Sequence, residues 1–171
     1  MRIHKAFQLW VMKHIHTLIL MTAICFKADA QLVVKVIDGD TYKVLQNGKL
    51  QNVRLMNVDA TELDQYFGKA VKDSVANLIK GSVIALELHS SDIYGRTIVI
   101  ATYKGMSLDS LLIAKGWAWF YTSYSKNFDL KYYEAAARLK GLGLWRCEHN
   151  VPPWIWRKLN RHNKRLYEVC Q

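Results

Sequence analysis

"LVVKVIDGDTYKVLQNGKLQNVRLM", residues 32–56, carries three β-rich runs separated by Asp38-Gly39 and Asn47-Gly48. Alternation at a period of two marks strands with one buried face, and short runs bounded by Asp-Gly and Asn-Gly are strands joined by turns. Asn47-Gly48 is the stronger punctuation, because a type I′ turn needs positive φ at both central positions. The runs on either side of it are therefore expected to pair antiparallel.

Working outward, the period changes. Phe67, Ala70, Val71, Ser74, Val75, Leu78 and Ile79 recur at spacings of three and four, which predicts an amphipathic helix over 64–80 closed by Gly81. Alternation returns over 82–89 and in "TIVIATY" after Gly95-Arg96, giving about five strands. A second helix is expected over 107–115, ended by Gly116, then the aromatic run "WAWFYTSY", then a third helix near 128–140. Five short strands interrupted by one long helix, with further helices behind, predict an α+β fold: a small five-stranded barrel of oligonucleotide/oligosaccharide-binding (OB) type with about three packed helices.

The chain has 171 residues, 51% of them apolar, enough for one domain with a core. Residues 1–30 read differently: Arg2, Lys5 and Lys13 precede the apolar run "TLILMTAICF", and Ala28-Asp29-Ala30 follows it, the order of a cleavable signal peptide. Ten apolar residues are about half of a bilayer span, which argues against an anchor. Its removal takes four Lys/Arg and one acid and lowers the net charge from +10 to +7. A field of that sign attracts polyanions, nucleic acid first and anionic membrane second.

A secreted or periplasmic location follows from the leader, and in an oxidising compartment Cys147 and Cys170 are expected to form a disulfide. A zinc site on Cys147, His149, His162 and Cys170 is the alternative, with a spacing unlike the usual pairs. Residues 147–171 form a distinct basic extension: "VPPWIWRKLNRHNKRLYEVC" holds both prolines and five Lys/Arg between Arg157 and Arg165. It is expected to be an appended helix that adds affinity for a nucleic-acid backbone.

Four stretches put chemistry-bearing side chains where strands and strand ends are normally apolar: Asp38-Gly39-Asp40-Thr41, "VRLMNVDATE" (53–62), "DIYGR" (92–96) and the tyrosines after Trp119. Asp-Gly-Asp alone reads as a turn. Strand period, however, puts Arg54 on a partly apolar face, where it needs an anionic partner, and Asp40, Asp59, Glu62 or a bound phosphate could serve.

The set "VIDGDT", "VRLMNVDATE", "YFGKAV", "DIYGR" and "LIAKGWAWFY", in this order, closely resembles the staphylococcal-nuclease-like (thermonuclease) family over about residues 32–146. The resemblance implies a calcium-dependent phosphodiesterase on an OB-type barrel. Asp40 and Asp59 match the family's calcium carboxylates, with the backbone carbonyl of Ala60 as a further ligand. Arg54 and Arg96 match its catalytic arginines, Glu62 its catalytic glutamate, and Tyr94 and Tyr121 its aromatic residues near the bound nucleotide.

The chemistry suits those residue types. Calcium takes six to eight oxygens, so two carboxylates and a carbonyl leave room for water and a substrate phosphate. A glutamate beside it can take a proton from water, and planar, permanently charged guanidinium groups can grip phosphate oxygens as charge builds there. Trp117, Trp119 and Phe120 read as core.

Two departures from the family pattern stand out. Thr61 replaces the usual proline before the catalytic glutamate, and the loop after Glu62 runs almost directly into the helix. Asp38 matches no calcium ligand and is expected to stabilise its turn, as is Asp92. The expectation is a monomeric enzyme acting on DNA and RNA, and the alternative is a catalytically silent nucleic-acid-binding barrel. The alternative would have no use for a general base beside a metal.

Overall fold

A computed structural model describes residues 30–123 and 125–167. The expected leader lies outside them except for Ala30, and so does Cys170, the expected partner of Cys147.

Strands β1 (Ala30–Val36), β2 (Thr41–Gln46) and β3 (Lys49–Leu55) form the antiparallel meander that the opening stretch predicts. Asn47 and Gly48 turn between β2 and β3 with φ of 49° and 76°, and Gln46 pairs with Lys49 across the turn. A three-residue strand β4 (Val58–Ala60) follows, then helix α1 (Gly68–Ile79), β5 (Val83–Ser91) and β6 (Thr97–Tyr103). β1 pairs with β5, β5 with β6, and β6 runs parallel to β3, with Arg54 opposite Ile98. That parallel seam closes the five long strands into the expected barrel.

The remaining chain caps the barrel. A two-residue strand β7 (Met106–Ser107) leads into α2 (Leu108–Ala114), whose first turn is capped by the Ser107 hydroxyl accepting from the Ser110 N–H. Strand β8 (Ala118–Phe120), inside the aromatic run, pairs antiparallel with β4 and puts Trp119 opposite Asp59. Helix α3 (Leu130–Leu139) and a 3₁₀ turn (Gly143–Arg146) follow. The expected helix over 64–80 begins four residues late, because Glu62 to Phe67 form a turn in which Gln65 and Gly68 donate backbone N–H groups to Glu62 and Gln65 carbonyls.

The core is the barrel interior: Val33, Val44, Val53, Leu55 and Val99 from the strands, Val71, Val75 and Ile79 from α1, and Leu108, Leu112 and Ile113 from α2, all buried. Trp119 and Phe120 are buried as expected. Burial of each large aliphatic side chain contributes about 1.5–3 kcal/mol, so this interior fixes the strand ends on which the charged residues stand. Among the described residues no helix is long and apolar enough to cross a membrane.

The extension differs from the single appended helix expected. It forms two short helices, α4 (Pro153–Trp156) and α5 (Arg161–Arg165), and turns back onto the barrel so that Trp156 is buried and α4 touches β4. Pro152 and Pro153 set where α4 starts, since neither has an N–H to donate and Pro153 sits where none is needed, and Asn160 starts α5 afresh, its side chain accepting the Asn163 N–H.

Candidate active site

Asp38, Gly39 and Asp40 close the turn between β1 and β2. Asp38 Oδ1 accepts from the backbone N–H groups of Asp40 (3.1 Å) and Thr41 (2.7 Å), so it holds the turn as expected. Gly39 is required for space, since a Cβ there would lie 2.5 Å from Ala60 Cβ and 2.6 Å from Val71 Cγ1. The turn is thereby pressed against β4, and Asp40 faces Asp59.

Arg54 lies between them. It sits on β3 directly opposite Thr41, is almost fully buried, and reaches Asp40 Oδ2 at 2.6 Å through Nη1 and Asp59 Oδ1 at 2.9 Å through Nη2. Nη1 also donates to the Val58 carbonyl at 3.2 Å. The acidic partner that strand period demanded for Arg54 is thus a pair of carboxylates. Asp40 Oδ2 further accepts the Ala60 N–H at 2.6 Å, and Asp40 Oδ1 accepts the Thr41 hydroxyl at 3.0 Å.

The parallel β3–β6 seam delivers Arg96, one residue before β6, to the same rim, where its Nη1 donates to Thr41 Oγ1 at 3.3 Å. Asp92 holds it there: Oδ1 accepts the Tyr94 and Arg96 N–H groups, and Oδ2 accepts Arg96 Nε at 2.7 Å. Burial pushes the Asp92 carboxyl up, but these bonds together outweigh it and hold the group below its usual range. Tyr94 is exposed beside Arg96, whose Cζ lies 5.4 Å from the ring centre.

Glu62 stands at the entrance with a side chain 37% exposed. Its N–H donates to Gln65 Oε1 at 3.1 Å, and Gly68 packs so tightly on its carbonyl that a Cβ would come within 1.8 Å of the oxygen. The short loop after Glu62 is therefore a locked turn. Thr61, in the proline position, is buried and its hydroxyl finds no protein partner.

The electrostatics show an excess of negative charge. Burial and the nearby Asp40 push the Asp38 carboxyl up to about 7. Burial also raises Asp59, with Asp40 adding to it, against the lowering effect of Arg157 and Arg54. Burial disfavours the Arg54 cation, but Asp40, Asp59 and Asp38 outweigh it and hold its pKa above the ordinary value. Two buried carboxylates that face each other across one guanidinium offer the hard oxygen donors that calcium takes. Asp40 and Asp59 therefore fit a divalent cation. Among the described residues no three His, Cys, Asp or Glu side chains converge as a complete metal cage, so solvent and substrate would supply the remaining ligands.

Some features were not anticipated. Asn57 Nδ2 donates to Asp109 Oδ2 at 2.8 Å, tying β4 to α2 beneath the site, and burial pushes Asp109 up to about 6. Tyr121, an expected stacking residue, is itself stacked on Trp154 of the extension, with ring centres 5.5 Å apart and planes at 23°. Above all, Arg157 enters the site: Nη2 to Asp59 Oδ2 at 2.7 Å, Nη1 to Asp59 Oδ1 at 3.2 Å and Nη1 to Glu62 Oε1 at 2.8 Å. Asp59 first, then Glu62, hold the Arg157 guanidinium firmly charged. Nothing in the sequence links Arg157 to residues almost a hundred positions earlier. The only signal was the basic segment itself, which sequence alone assigned to a nucleic-acid backbone and not to the acids of the site.

A closed OB-type barrel with two arginines and three acids at one strand end defines the class as that of a phosphate-handling barrel protein. The staphylococcal nuclease homologue family model matches residues 52–147. An uncharacterized endonuclease of Escherichia coli O157:H7 is 35% identical over 126 residues, covering 73% of this chain and 82% of its own length. A micrococcal nuclease of Shigella flexneri is 33% identical over 76% of this chain and 81% of its own length. The staphylococcal-like nuclease CAN1 of Arabidopsis thaliana is 30% identical over 78% of this chain and 43% of its own length. The chain belongs to the staphylococcal nuclease homologue family.

Proposed function

We propose that this protein is a calcium-dependent nuclease that hydrolyses phosphodiester bonds of DNA and RNA with little sequence preference, acting outside the cytoplasm. Membership of the family makes it a metal-dependent phosphodiesterase acting on nucleic acid. The observation that carries the finer reading is the buried Arg54 bridging Asp40 and Asp59, with Glu62 at the rim three residues beyond Asp59. A binding barrel could present a basic surface without burying three charges to build this. The leader-like residues 1–30 support the location.

In this reading Asp40, Asp59 and the Ala60 carbonyl would hold the cation, which when bound would supply Lewis-acid polarisation of the phosphoryl group and a lower cost of ionising water. Glu62 accepts the proton of the attacking water on a carboxylate oxygen. Arg96, aimed by Asp92, and Arg54, fixed by Asp40 and Asp59, stabilise the charge that builds on the phosphate oxygens. Because both are held by salt bridges before substrate arrives, little reorganisation is needed during reaction. Tyr94 and Tyr121 offer rings to bases, a contact that tolerates any sequence.

Digestion of single-stranded DNA and of RNA with calcium, with magnesium and with chelator, beside Glu62→Gln, tests this. Cleavage should require a divalent ion and be best with calcium, and the variant should lose about 10²–10⁴-fold in rate. Binding without cleavage under every condition would leave the silent OB-type binding protein as the reading.

A further inference from the structure

We propose that residues 153–167 form an autoinhibitory strap whose Arg157 and Trp154 occupy the cation and base positions of the active site and must leave for it to work. The inference rests on the assignment of Asp59, Glu62 and Tyr121 given above.

Two separate contacts cover two separate subsites. Arg157 takes both oxygens of Asp59, and Asp59 Oδ1 also receives Arg54, so the carboxylate is filled by guanidinium donors. The same Arg157 Nη1 holds Glu62, the group that must accept a proton, at 2.8 Å. That Glu62 oxygen is therefore already engaged when water must reach it, and a second cation brought beside Arg157 is repelled by it. About a helical turn earlier, Trp154 stacks on Tyr121, covering the ring face that a base would need, and meets Trp119 edge-on with ring centres 5.9 Å apart.

The strap is anchored beside the site by bonds that leave the acids alone. Trp156 Nε1 donates to Asp64 Oδ1 at 3.0 Å, Lys164 Nζ pairs with Asp64 Oδ2 at 2.8 Å, and Gln65 Nε2 donates to the Val151 carbonyl. Trp156 is buried, whereas the Arg157 side chain is 44% exposed. An anchored base with an exposed, long-armed tip allows Arg157 to swing out without unfolding the domain. A cation at Asp59 and a phosphate near Arg157 would both favour that movement, since each offers one of the separated partners a replacement.

The test is calcium binding by calorimetry on the full chain, beside Arg157→Gln, Trp154→Ala and Asp59→Asn, with tryptic cleavage between residues 157 and 165 followed by mass spectrometry with and without calcium. Competition predicts that Arg157→Gln binds calcium at least about fivefold more tightly than the parent, that Trp154→Ala also gains, and that calcium speeds cleavage of the parent in this segment. Unchanged or weaker calcium binding in both variants, with cleavage indifferent to calcium, overturns the strap. Asp59→Asn separates the two ideas: undiminished calcium binding there overturns the cation-site assignment on which the strap depends.

Discussion

At the scale of single residues, Arg54 is held by two carboxylates and a carbonyl at once, a set that only a planar fork satisfies. Lysine at this position is a point charge that cannot span both acids, and where it goes to Asp59, which Arg157 already holds, Asp40 is left buried without its cation. Arg54→Lys is therefore expected to lose about 3 kcal/mol in urea denaturation and at least about 100-fold in kcat. Asp109 offers a second test at this scale. Its folded pKa of about 6 lies above the ordinary carboxylate value, so the folded state binds more protons between those limits. Asp109 thus favours folding at pH below 4 and loses that contribution as pH rises through 6. Asp109→Asn keeps the size and polarity without the charge, so its stability relative to the parent should rise from pH 4 to pH 7 by up to about 3 kcal/mol. Denaturation midpoints across that range check it, and a flat difference would show that Asp109 stays ionised.

At the scale of elements, the long strands and helices were legible because each repeats its period several times: alternation through β1–β3, threefold and fourfold spacing through α1, and Asn-Gly at the β2–β3 turn, where both central residues take positive φ. The pair β4–β8 was not, since three residues carry no period and their pairing depends on the barrel having closed first. The same holds for the site. Asp40, Arg54, Asp59, Glu62 and Arg96 stood out by charge in apolar surroundings and by motif order. Arg157 and Trp154 reach the site through a fold-back that local pattern does not encode. The Asp38–Gly39–Asp40 turn shows how an element holds a site. Gly39→Ala must move Ala60 or Val71, at a cost of about 1–3 kcal/mol, and because Ala60 follows Asp59, the two acids separate. Its calcium affinity should fall more than its melting temperature suggests, which calorimetry on the folded variant measures.

At the scale of the molecule, charge is spread unevenly: +10 overall, yet the rim carrying Asp59, Glu62 and Asp64 is acidic and draws part of its counter-charge from the extension. A polyanion meeting this surface is attracted by the exposed Arg161 and Arg165 of α5 while the buried acids repel it until a cation arrives. The extension would then have two uses in turn, shielding the acids at rest and gripping the phosphate backbone once displaced. Each arginine that pairs with a phosphate releases counterions, so its presence is read in the salt dependence of binding. Arg161→Gln with Arg165→Gln should lower the slope of log K against log salt for single-stranded DNA by about 0.7 for each phosphate pairing removed, measured with calcium present and Glu62→Gln to prevent cleavage. The change should be smaller without calcium, because Arg157 then stays paired with Asp59 and Glu62 and the extension is held over the site. Slopes that match the parent under both conditions would mean that α5 never meets the nucleic acid, and the positive charge of the extension would then serve the acids alone.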